Sequence, residues 1–290
     1  MLGASRAMAL ARRLRLPDLW RQQVLPVHSR QAPAVSVHTM PDPDISDSRY
    51  DLCLTKLPLK KWFRAIYHLT QSKGGISSIE LARRLSVTQT TAWKISHKLM
   101  QVMLEREQQQ RLSGRVEMDD AYLGGKRRGG KRGRGAPGKI PFIAAVETTK
   151  NGQPHKMKLY RAKGFRRKEV QRASQKLLRS GTVVVTDRLR CFSEVQAAGC
   201  WHEPVQDSSR KAVQDSVFKW VNTMLGNVKS ALLGTYRAVR SKHVPRYLAS
   251  FGYRFNRRYD LATMLTRLAW VSLRTPPMPY RLLKLAEDCA

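Results

Sequence analysis

Cysteine is scarce in this chain: Cys53, Cys191, Cys200 and Cys289 are scattered, and no two form a Cys-x-x-Cys pair. That spacing excludes a disulfide framework and a zinc ribbon, and it fits a reducing compartment. No apolar run approaches the roughly eighteen residues of an ordinary membrane-spanning helix. Acid is scarce as well, with 21 Asp plus Glu against 54 Lys plus Arg in 290 residues, a net charge of +33. Such a surplus is costly in self-repulsion without a polyanion nearby, so nucleic acid is the expected partner. At 42% hydrophobic the chain can nevertheless bury one sizeable core and carry a small accessory domain. A disordered basic tail is thereby excluded.

Residues 1–49 lack a sustained helical or alternating period, and Asp18 is the only acid among the first thirty. This composition resembles an organellar transit peptide, or equally a segment translated from a shifted start, which is the preferred reading. It is expected to be a disordered leader or degenerate remnant. Residues 50–112 read as a helical DNA-binding domain with its connector. Trp62, Phe63, Ile66, Tyr67 and Leu69 recur at helical spacing, and Gly74-Gly75 ends that helix. Ser77-Ser78-Ile79-Glu80 forms a capping box that starts the next, with Ile79, Ala82 and Leu85 inward. After Ser86-Val87-Thr88 a further helix carries Ala92, Ile95 and Leu99 inward and leaves Gln89, Thr90, Lys94 and Lys98 outward. A helix-turn-helix whose second helix enters the major groove fits this pattern, and so does an ordinary helical hairpin; the basic context favours DNA contact.

Residues 113–290 change period. Short β-favouring runs at residues 115–119, 140–148 and 157–162 predict an antiparallel meander. A helix over 166–178, a strand over 182–185 and one more strand over 201–205 complete an α/β pattern with a mixed sheet. The remainder is helical. Its Arg254, Asn256, Arg257 and Arg258 read either as a phosphate-facing group or as a solvated basic face.

Asp187 closes the apolar run Val183-Val184-Val185-Thr186, at a sheet end where α/β sites collect. Asn222 and, seven residues on, Lys229 share one face of a later helix. In the strand that holds them, Glu117 and Asp119 share one face, while Val116, Met118 and Asp120 share the other, expected to be buried. Asp119 is therefore the bridging ligand and Asp120 the weaker candidate. A carboxylate at a strand end, a second on another strand, an oxygen ligand on a helix and a nearby lysine are parts of a metal-dependent phosphoryl-transfer site. Two Mg²⁺ or Mn²⁺ ions held by Asp119, Asp187 and Asn222 are the expected cofactors. Asn227 is the fallback ligand but points elsewhere on its helix. Between the strands, glycines alternate with Lys126, Arg127, Arg128, Lys131, Arg132 and Arg134, a composition suited to gripping a nucleic-acid backbone without reading bases.

Three stretches carry a resemblance: Val116 to Gly125, Val185-Thr186-Asp187, and Trp220 to Lys229, together with Thr55 to Leu59, Trp62-Phe63 and Gly75-Ile76-Ser77. From about Thr55 to Leu285 the chain resembles bacterial insertion-sequence transposases of the DDE superfamily, of the ISXO2-like kind. The resemblance implies a ribonuclease-H-like catalytic domain behind a helix-turn-helix, and ligands at Asp119, Asp187 and Asn222 with a lysine at Lys229, the DD(N/E)K arrangement. It further implies cleavage at element ends, strand transfer into target duplex DNA, and a homodimer or higher assembly on DNA. A cytoplasmic, nucleoid-associated protein with no membrane contact is expected. Many relatives begin with a zinc ribbon that this chain lacks, so a decayed copy that only binds DNA is the alternative, and a ribonuclease H or resolvase-like nuclease shares the site chemistry.

Overall fold

The computed structural model describes residues 56–124, 138–205, 217–237, 239–275 and 278–285. The expected leader over 1–49 and the basic residues Lys126, Arg127, Arg128, Lys131, Arg132 and Arg134 lie outside the described residues.

Three helices open the fold: α1 (Leu59–Gln71), α2 (Ser78–Leu85) and α3 (Gln89–Gln108). The Ser77 hydroxyl accepts from the Glu80 amide at 3.2 Å, which starts α2, but the reciprocal half of the predicted box is missing. Glu80 instead accepts from Arg84 Nε at 2.7 Å, an i,i+4 pair that outcompetes the backbone for the carboxylate. Ser77→Ala is expected to cost about 1 kcal/mol. A urea melt with an unshifted midpoint would show that the cap carries no load. Between α2 and α3, Ser86 takes a left-handed φ of 50° and Thr88 caps α3.

One inward assignment is corrected: Ile79 is 58% exposed while Leu81 is fully buried. Of the apolar series in α1, Tyr67 is 42% exposed and lies on the outer face. The three helices and the carboxyl-terminal part of the chain share one core, in which Ile66, Leu69, Leu85 and Ile95 pack with Tyr253, Met264 and Leu268. The second half of α3 continues without a break, so the helix that starts at Gln89 and the expected connector are one element, buried through Leu99, Met100 and Met103.

Five strands follow: β1 (Arg115–Leu123), β2 (Ile140–Thr148), β3 (Pro154–Arg161), β4 (Val183–Asp187) and β5 (Trp201–Val205), with α4 (Arg167–Leu177) and a 3-10 segment (Arg190–Ala198) between them. Their order is β3-β2-β1-β4-β5, with β1, β2 and β3 antiparallel and β4 and β5 parallel to β1. This mixed sheet has ribonuclease-H-like order. Then come α5 (Lys219–Thr235), α6 (Val244–Asn256), α7 (Leu261–Ser272) and α8 (Tyr280–Leu285).

Both faces of the sheet are covered, not one. On one side Ala121, Phe142, Ala144 and Val185 pack under α5 and α6. On the other Val116, Met118, Ile143 and Val184 pack under α4 and the 3-10 segment. The basic group at the end of α6 is neither phosphate-facing nor solvated. Arg254 is buried and donates to Ser250 Oγ and the Leu69 carbonyl; Arg257 pairs with Glu107 at 2.5 Å; Arg258 donates to carbonyls of Pro154 and His155. These cations staple α6 to its neighbours, because helix ends and an edge strand present carbonyls that need donors.

Candidate active site

The apolar run that forms β4 is buried through Val184, Val185 and Thr186 and releases Asp187 at its carboxyl end. Parallel pairing sets Glu117 opposite Val185, and the same offset carried two residues further sets Asp119 opposite Asp187. Because Val185 faces the α5 layer, alternation turns Asp119 and Asp187 to that layer too. Ligand oxygens of Asp119, Asp120 and Asp187 all lie within 4.8 Å of one another. Asp120, ranked second by alternation alone, thus belongs to the cluster. Local hydrogen bonds hold the group: Asp119 Oδ1 accepts from the Asp120 amide at 2.7 Å, and Asp187 Oδ1 from the Leu189 amide at 3.2 Å.

Crowded carboxylates resist ionisation. Burial, and after it the charges of Asp120 and Asp187, push the Asp119 carboxyl up to about 6, against the lowering by the Asp120 amide and by Lys229. Three half-buried carboxylates that repel one another form a hard oxygen donor set, the kind that a divalent cation such as Mg²⁺ or Mn²⁺ relieves.

How α5 is aimed at this cluster is set by a residue to which sequence reasoning gives no role. Glu117 is 2% exposed, and its Oε2 accepts from the backbone amides of both Trp220 and Val221, at 3.0 and 2.9 Å. A carboxylate at the start of a helix satisfies amides that have no intrahelical partner and complements the positive end of the helix dipole. Glu117 stands two residues before Asp119 on the same strand face, so one strand carries both the ligand and the anchor for α5. The available signal is an acid inside an otherwise buried apolar run.

Asn222 follows the anchored amides directly and is exposed; Lys229 is half-buried. At 100° per residue the two lie about 20° apart around α5, on a flank of the stripe formed by Val221, Met224, Leu225 and Val228. Lys229 acts electrostatically on Asp119, whereas Asn227 lies on the opposite flank. Trp220 is half-buried and donates its indole N–H to the Gly152 carbonyl.

On the helical side, Gln89 and Thr90 are exposed at the start of α3, with Gln89 Nε2 donating to Ser78 Oγ at 2.8 Å. Lys94 and Lys98 are half-buried, and Lys94 sits 4.3 Å over the Tyr280 ring of α8.

No curated protein matches the chain. Solved structures with slight similarity include the Mos1 Strand Transfer Complex, at 11% identity over 81% of each chain with a TM-score of 0.26. A Mos1 transposase paired-end complex with left transposon end, at 11% identity over 87% of this chain and 85% of that one, has a TM-score of 0.25. Likeness of that degree carries no functional conclusion. The ISXO2-like transposase domain, by contrast, matches residues 111–256, which include Glu117, the aspartate cluster, Asn222 and Lys229. Spanning half of the sequence, that match places the chain in the ISXO2-like transposase domain family of DDE transposases.

Proposed function

We propose that this chain is an active DNA transposase that cleaves at the ends of an insertion sequence and joins the freed 3′ hydroxyl to target DNA. The observation that carries the reading is the convergence within 4.8 Å of Asp119 and Asp120, in the middle of β1, and Asp187, at the carboxyl end of the adjacent β4. In the DD(N/E)K arrangement Asp119, Asp187 and Asn222 would hold two Mg²⁺ or Mn²⁺ ions, with Asp120 within reach. Bound there, the ions would polarise the attacking and leaving oxygens of a phosphodiester.

The chain's own residues supply the rest. Asp119 must shed its proton to serve as a ligand, and Lys229 meets a nonbridging phosphate oxygen as a point charge. Asn222 offers a neutral carbonyl oxygen, leaving more of the neutralisation to DNA phosphate. The pair α2 and α3 acts as a helix-turn-helix on element ends. Gln89 and Thr90 reach base edges, while Lys94, Lys98 and the basic series Lys126, Arg127, Arg128, Lys131, Arg132 and Arg134 hold the backbone. Paired ends require at least two subunits, a homodimer or higher assembly, working on the nucleoid in the cytoplasm.

The test is end cleavage and strand joining in Mg²⁺ or Mn²⁺, on DNA flanking the coding sequence. Asp119→Ala and Asp187→Ala are expected to lose at least about a thousandfold in cleavage, with mobility-shift affinity unchanged. Log affinity should fall by about 0.9 per phosphate contact per log unit of salt. A parent protein that binds ends but never cleaves them would mark a copy acting only as a DNA-binding protein.

A further inference from the structure

On the side of the sheet away from β4, the outer strand β3 pairs only with β2 and borders a cleft of about 430 Å³. The second half of α3, together with α4, α6 and α8, forms its other walls. The direction of each backbone group along β3 is fixed by one hydrogen bond. The Ala162 amide donates to the Pro141 carbonyl at 3.1 Å, so by alternation Tyr160 and Lys158 also turn their backbones to β2, while Met157 and Leu159 turn theirs outward. At Met157 the outward pair is met by one side chain. Asn256 accepts from its N–H at 2.8 Å and donates to its carbonyl at 3.0 Å, as a neighbouring strand would. At Leu159 the N–H and the carbonyl face the cleft, and no side chain among the described residues takes the place that Asn256 takes at Met157.

The cleft is strongly cationic. Lys158, Lys163, Lys176 and Lys242 line it, and its two carboxylates, Glu107 and Glu169, are each held by an arginine, Arg257 and Arg172. Its walls differ. On the α4 side stand Arg172 and Lys176, whereas the α6 side presents Pro245 and Ala249 beside Arg246, and the Leu159 side chain packs against the cluster that holds the fully buried Leu248. We propose that this cleft binds an extended acidic peptide of a partner protein, added to β3 as a further strand through Leu159.

Three features select a peptide over a nucleic-acid strand. An outward carbonyl needs an N–H donor, which a peptide backbone has and a phosphodiester lacks. Tyr160 is the one aromatic residue among the described residues lining the cleft, and Lys176 sits 5.8 Å over its ring, whereas single-stranded nucleic acid is held by open aromatic platforms on which bases stack. A strand alternates its side chains, and the two walls alternate to match, with carboxylates directed to Lys163, Arg172 and Lys176 and apolar side chains to Pro245 and Ala249. The occupant is thus a segment in which Asp or Glu alternates with β-branched or other aliphatic residues. Nothing in this inference requires chemistry at the Asp119 cluster, which lies on the far side of β2.

The full chain is titrated with a fluorescent peptide of alternating glutamate and valine, and binding is read by anisotropy and by exchange of the Leu159 amide. The expected result is saturable binding with slowed exchange at Leu159. It should be weakened about tenfold in Lys163→Glu/Lys176→Glu, whose substitutions lie on the exposed rim, and unaltered in Asp119→Ala. The same peptide N-methylated at every second residue keeps its charge but loses its donors, and should not bind. Equal binding of the methylated peptide would reduce the effect to bulk charge attraction and overturn strand addition. A labelled oligothymidylate that protects Leu159 and loses affinity in the double variant, where the peptide does neither, would make this a nucleic-acid groove instead.

Discussion

Replacing Asp119 with asparagine is expected to raise the thermal stability of the metal-free protein at neutral pH while abolishing metal-dependent cleavage. Burial first, and the charges of Asp120 and Asp187 after it, lift the Asp119 carboxyl from 3.8 to about 6. The sign follows from proton counting. Between about pH 4 and pH 6 the folded state retains a proton that the unfolded chain has released, so stability falls as pH rises through that window. Above it the folded state carries the full penalty of the ionised group, up to about 3 kcal/mol for the shift from 3.8 to about 6. Asp119→Asn would keep an acceptor for the Asp120 amide and remove the charge. Melts in chelator should therefore show the variant unfolding roughly 5–10 °C above the parent at pH 7.5, with the gap closing toward pH 4. Manganese should raise the parent's midpoint and leave the variant's unmoved. A gap that is independent of pH, or a variant less stable than the parent at pH 7.5, would show that the cluster is not under electrostatic strain.

Stability given up in this way is legible only in part from the chain. The strands are readable because Val183 to Thr186 and Ile140 to Thr148 are apolar runs too short for helices and bounded by turn residues. Asp187 stands out for the same reason, as an acid where an apolar strand stops. Asp120 is underrated by the pattern because alternation reports which face a side chain leaves from, not how far its carboxylate can swing where the neighbouring strand β4 has ended. Glu117 is visible as an acid on the right face, yet its role depends on amides more than a hundred residues away, Trp220 and Val221, which no local pattern links to it. Ile79 and Leu81 differ by two positions in a helix of eight residues, too short for the period to locate its buried face.

The arginines of α6 illustrate the opposite limit. In a chain of +33 a basic run has an obvious polyanionic partner, so phosphate or solvent is the natural reading of Arg254, Arg257 and Arg258. Their actual partners are Glu107, the Ser250 hydroxyl and backbone carbonyls, groups whose need for donors arises only once α3, β3 and α6 are brought together. Part of the excess charge thus works inside the fold, a share that sequence composition cannot apportion.

Removing the Glu117 carboxylate is expected to impair catalysis without touching a metal ligand. Glu117→Ala leaves the amides of Trp220 and Val221 without their acceptor, and Val221 is fully buried, so water reaches the gap poorly. The cost should be about 3 kcal/mol, at the upper end for an orphaned buried donor because the lost acceptor is charged. The first turn of α5 is then free to shift, and with it Asn222, which follows Val221, and Lys229 two turns later. Loss of the lysine's influence removes a lowering effect on Asp119, so the cluster should hold its proton to higher pH and bind metal less readily. Glu117→Gln retains a carbonyl oxygen that can accept from both amides and should preserve the position of α5. At a temperature where both variants are folded, cleavage by the alanine variant should fall about a hundredfold and that by the glutamine variant less than about tenfold. The manganese concentration for half-maximal cleavage should rise only in the alanine variant. Equal impairment of the two, or an alanine variant that cleaves like the parent, would show that Glu117 caps a helix whose position does not matter to the acids beside it.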